Sequence, residues 1–65
     1  MNTVGKFFEK ALLNGFNSIK IKSADKDSVI CEFSNMKDME RYGIKDKEIK
    51  DFGTDWENKT YILWI

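Results

Sequence analysis

An α+β fold is predicted for this 65-residue chain: an N-terminal amphipathic helix packed on one face of a small antiparallel sheet of about three strands, with one or two short helices before the last strand. Three observations carry that prediction. Apolar residues recur at helical spacing from Val4 to Leu12, and they alternate at strand spacing on both sides of a polar stretch at 23–27. The run Thr60-Tyr61-Ile62-Leu63-Trp64-Ile65 is apolar on both faces of an extended strand. At this length the chain forms one small domain, residues 1–65, that buries roughly 60% of the surface exposed when unfolded.

In the first element, Val4, Phe7, Phe8, Ala11 and Leu12 form one stripe, with Lys6, Glu9 and Lys10 on the wet side. Asn2 or Thr3 supplies the cap, and Asn14-Gly15 supplies the stop. A hairpin follows. Ile19 and Ile21 alternate with Ser18, Lys20 and Lys22, then Val29, Cys31 and Phe33 alternate with Ile30 and Glu32. The predicted core is Val4, Phe7, Phe8, Leu12, Ile19, Ile21, Val29, Cys31, Phe33 and one side of the last strand. Lys20, Lys22, Ile30 and Glu32 take the outer face of the hairpin.

Ser34-Asn35 reads as a helix cap, and Gly43 as the stop of the helix between them. Residues 47–53 repeat the pattern of 37–43, each ending in an aromatic and then Gly, which favours a second short helix. The competing assignment for 46–56 is an extended segment that turns at Glu57-Asn58-Lys59 and pairs with the last strand.

Composition excludes several functions. Eleven basic residues are offset by eleven acidic ones, and only Arg41 among the former is an arginine, so the basic excess of a duplex-binding surface is absent. No apolar stretch approaches the roughly 20 residues that span a bilayer. With one cysteine and no signal-peptide pattern after Met1, a reducing compartment, the cytoplasm, is expected. Nine aromatics, five Phe, two Trp and two Tyr, supply enough large apolar surface to expect an ordered domain.

Catalytic and metal-binding constellations are lacking. There is no histidine to serve as acid, base or ligand, and a single Cys31 makes neither a zinc site nor a thiol–imidazole pair. Cys31 alternates in phase with Val29 and Phe33 and reads as core. Asp25-Lys26-Asp27-Ser28 starts like a calcium-binding loop, but Ile30 and Met36 stand where that loop needs Gly and Glu. Neither catalytic residues nor cofactors, metals or small-molecule substrates are therefore expected.

What remains is surplus apolar surface in the C-terminal third. Asp51-Phe52-Gly53-Thr54-Asp55-Trp56-Glu57 sets two large aromatics among carboxylates, the composition of an anchor with a polar rim. One alternating set of the last strand joins the core, and the other lies open beside Ile30. The set taken as open contains Tyr61 and Leu63, which with Ile30 and Trp56 make the expected partner-binding surface. In its shortness and its Lys-, Asn-, Ile- and Phe-rich composition, the chain resembles accessory proteins of bacteriophages and mobile elements. That resemblance implies an inhibitor or adaptor acting on a host protein. Two other expectations stand beside it: a weak single-strand nucleic-acid binder using Lys20 and Lys22 with Tyr61 or Trp64 as a stacking platform, and a small homodimeric structural protein.

Overall fold

The computed structural model describes residues 3–12 and 15–65, with the backbone alone for Ala11 and Leu12. Helix α1 (Val4–Leu12) leads into strands β1 (Ser18–Lys22) and β2 (Val29–Phe33). Helix α2 (Met36–Tyr42) then precedes strands β3 (Asp51–Asp55) and β4 (Thr60–Trp64). The fold class is α+β as expected, but the sheet has four strands in the order β2-β1-β4-β3. It is also mixed. β1 pairs antiparallel with β2 and parallel with β4, while β3 pairs antiparallel with β4.

The fourth strand arises because 46–56 takes the extended alternative. Around α2, Asn35 accepts a hydrogen bond from the Asp38 amide at 2.8 Å, and Gly43 ends the helix in the left-handed region at φ 67°. Gly53 has no such positive φ. Instead Asp55 accepts from both the amide and the side chain of Asn58, at 3.3 and 2.8 Å, which closes the turn back into β4. The likeness between 37–43 and 47–53 is therefore one of composition only.

Helix α1 is anchored at its N-terminus. Thr3 caps it, its hydroxyl accepting from the Lys6 amide at 3.3 Å. The amides of Val4 and Gly5 donate to the carbonyls of Lys47 and Lys45, at 3.0 and 2.8 Å, so a distant loop satisfies two of the helix's free donors. Of the predicted stop at Asn14-Gly15, Gly15 stands in the left-handed region at φ 75°, whereas Asn14, like the capping role of Asn2, lies outside the described residues.

Both helices lie on one face of the sheet. The core is Val4, Phe8, Ile19, Ile21, Cys31, Phe33, Met39, Ile44 and Leu63. Each buried Val, Leu, Ile, Phe or Met side chain among them contributes roughly 1.5–3 kcal/mol by leaving water. Met39 and Ile44 join the predicted set, and the side chain of Leu12 lies outside the described residues. Val29 does not join it, being 57% exposed. The register shifts between Ile21 and Lys22, so Val29 opposes Lys22 where continuous alternation would put Ile30, and its side chain leaves the core phase.

Parallel pairing with β1 fixes the faces of β4. Tyr61 and Leu63 stand beside Ile19 and Ile21, under the helices, while Ile62 and Trp64 stand beside Lys20 and Lys22. The expected open set is thus corrected. Leu63 has no exposed surface, and the uncovered face carries Thr60, Ile62 and Trp64.

Candidate interaction surface

The residues singled out as partner-binding separate into three places. Leu63 is sealed in the core. Ile30 is half exposed on β2, one edge of the sheet, whereas Trp56 and Tyr61 lie toward the β3 side of the molecule, the other edge. Phe16 joins these two, lying flat on Tyr61 with ring centroids 3.9 Å apart and planes 15° apart, and meeting Trp56 edge-on at 5.4 Å. From the other side Phe7 meets Tyr61 edge-on at 4.8 Å and Phe52 at 5.9 Å.

Five rings therefore form a row in the order Phe52, Phe7, Tyr61, Phe16, Trp56. Its middle three are half-buried, and its ends, Phe52 and Trp56, are 60% and 66% exposed. The row exists because β3 and β4 reach beyond the part of the sheet that α1 seals. Phe7 points toward β3 and β4, while Phe8 packs on Phe33 of β2 at 5.5 Å. Just before β1 the Asn17 amide donates to the Lys59 carbonyl at 2.8 Å and so seats Phe16 over Tyr61. Lys59, itself at φ 52°, holds its ammonium 5.8 Å from the Trp56 ring. Phe7 and Phe16 are the members that sequence reasoning missed. The spacing of Phe7 in the helical stripe predicts core, where it is only partly buried, and an isolated aromatic after Gly15 carries no periodic signal.

The helix-free face of the sheet is organised differently. The Trp64 indole N–H donates to Asp27 at 2.8 Å, and Lys22 sits 5.7 Å from the indole ring and 3.9 Å from the same carboxylate. Ser18 donates to Glu32 at 3.0 Å and shares a 3.0 Å hydrogen bond with Thr60. Hydrogen bonds from the Asn58 side chain and amide hold the Asp55 carboxyl below the usual carboxylate range. Asp51 is on this face too, paired across from Trp64. Two lysines of the sheet are thus surrounded by Asp27, Glu32, Asp51 and Asp55.

Chemistry of other kinds has little to work with. Burial pushes the Cys31 thiol up, away from the thiolate form that reacts. Among the described residues no three His, Cys, Asp or Glu side chains come together to hold a metal ion. An open cleft of about 190 Å³ between α1 and α2, floored by Met39 and Gly5, falls short of the roughly 300 Å³ at which ligand pockets begin. No helix among the described residues is long and apolar enough to cross a membrane. Comparison of the chain with protein-family profiles, with curated proteins and with solved structures found no match in any of the three, so its function must be argued from these residues alone.

Proposed function

We propose that this chain is a non-enzymatic protein-binding module that docks a partner on the aromatic row from Phe52 to Trp56. The supporting observation is the contact chain itself: five rings in sequence, with the two end rings more than half in solvent. Interface hot spots favour large aromatics that are already rigid before binding, because little side-chain freedom is then lost on association. The three inner rings hold the outer two, and beside Trp56 the exposed Glu57 and Lys59 supply a charged rim that stays wet. In the inhibitor or adaptor form of this reading the partner is a host protein and the compartment is the cytoplasm. Composition and the unpaired, buried Cys31 support that form.

The test compares the protein with a Phe52→Ala, Trp56→Ala double variant. Both side chains are exposed, so the variant is expected to keep a cooperative unfolding transition. A hot-spot pair should cost a captured partner about 30-fold or more in affinity. Equal capture by the two proteins, or no capture by either from any lysate, would overturn the proposal. A single-strand nucleic-acid reading draws support from Lys20, Lys22 and Trp64 sharing one face. Four carboxylates around two lysines outweigh it, since a phosphate backbone needs the opposite balance.

A further inference from the structure

β3 is an edge strand, and the chemistry along it specifies what could be added there. Phe52 and Thr54 face the helix side, at the start of the aromatic row, whereas Asp51, Gly53 and Asp55 face the helix-free side. The Phe52 amide donates to the Asp51 carboxylate at 2.8 Å, so its hydrogen points away from β4 and is held by a side chain rather than by a neighbouring strand. In an antiparallel ladder alternate residues turn the same way, which leaves Phe52 and Thr54 presenting their backbone groups outward.

From this geometry we infer that β3 accepts an added strand from a protein partner, an extended segment in which apolar and basic residues alternate. The inference rests on the aromatic row being a docking surface, and it names the class of partner. Apolar side chains opposite Phe52 and Thr54 extend the aromatic row. Lysine or arginine opposite Asp51 and Asp55 meets a carboxylate on the other face. As the strand arrives its carbonyl takes the Phe52 N–H, and the released Asp51 carboxylate turns to the incoming cation. Backbone pairing supplies affinity and the alternating side chains supply selectivity, as in other recognition by strand addition.

A second copy of this chain fits poorly. Two β3 strands paired antiparallel about Gly53 would set Asp51 against Asp55 twice, and like charges directly opposite are destabilising. The other edge, β2, carries Glu32 on the same face, so registers of β2 on β3 that bring Glu32 opposite Asp51 or Asp55 also oppose acid to acid. Along β3 the carboxylates disfavour a second β3 and favour a basic strand.

The experiment uses the intact protein and a synthetic acetylated peptide, Lys-Val-Lys-Val-Lys, with Glu-Val-Glu-Val-Glu as its counterpart, followed by amide and aromatic NMR shifts. The basic peptide is expected to shift the amides of residues 51–55 and the rings of Phe52 and Phe7, and to bind at least about tenfold more tightly than the acidic one. Asp51→Asn should weaken the basic peptide roughly twofold to fivefold, the size of one cross-strand charge pair. If Asp51 serves only to block the edge, Asp51→Asn will leave binding unchanged or strengthen it, and the inference falls. It falls equally if the peptide moves the aromatic rings alone, with no charge preference, an outcome that leaves the aromatic row as a docking surface intact. No shift at millimolar peptide, or a dimer protected at the β3 amides, would also overturn it without touching the capture experiment on Phe52 and Trp56.

Discussion

Gly5 and Gly53 show how differently the same residue type is used. A Cβ on Gly5 would lie 3.2 Å from the Lys45 carbonyl oxygen, the atom that accepts the Gly5 amide at 2.8 Å. The helix approaches the 44–48 loop closely enough there that a methyl group forces the carbonyl back. At Gly53 a Cβ would meet the edge of the Trp64 indole at 3.5 Å, an ordinary contact, and the backbone φ suits any residue. Gly5→Ala gains up to about 1 kcal/mol of helix propensity but displaces the backbone carbonyl that accepts the Gly5 amide, weakening an anchoring hydrogen bond, so it should lower stability. Gly53→Ala removes freedom from the unfolded chain and should add about 0.4–1 kcal/mol. Urea midpoints should therefore rank Gly53→Ala above the parent and Gly5→Ala below it, and the reverse order would refute both accounts. From sequence alone Gly5 is only a helix defect, because the carbonyl that explains it comes from a part of the chain that no local rule connects to it.

At the scale of elements, α1, β1, β2, α2 and β4 are legible because each carries its own signal: a stripe, an alternation, a cap with a matching glycine. β3 is hard to read. Its Phe52-Gly53 copies the aromatic and glycine that end α2, and the residues that decide against a helix are Asp55 and Asn58, whose turn acts from outside the segment. The faces of β4 are not legible either, since both sets are apolar and the choice is made by register against β1. The register yields a sharp contrast. Leu63→Lys puts a charge where there is no exposed surface, costing more than about 4 kcal/mol and unfolding a domain this small. Ile62→Lys places the same charge on the helix-free face beside Gly53 and should cost no more than about 1 kcal/mol. Circular dichroism melts of the two variants check this; loss of folding in both would mean that β4 is closed on both sides. The same register decided the candidate surface, sending Leu63 inward and leaving Tyr61 to bridge Phe7 and Phe16.

For the whole molecule, the strand order means that each hairpin contributes one outer and one inner strand, and that the two inner strands meet as parallel neighbours from Ser18 beside Thr60 to Lys22 beside Trp64. Everything up to Gly43 belongs to one half and everything after it to the other. The core is divided the same way, with Ile44 and Leu63 coming from the second half and the remaining buried apolar residues from the first. Further ties cross the divide: the Lys45 and Lys47 carbonyls under α1, Asn17 on Lys59, and the Ile65 amide on Lys22. A chain cut after Gly43 should then give two pieces, 1–43 and 44–65, neither able to close a core alone. Mixed, they should reassemble along the parallel seam. Both tryptophans lie in the shorter piece, so their fluorescence reports the event; no change on mixing at millimolar concentration, or cooperative melting of either piece by itself, would rule this out. In such a split protein the free energy that holds one chain folded is read instead as a dissociation constant between two, and every substitution in the core becomes a measurement of affinity.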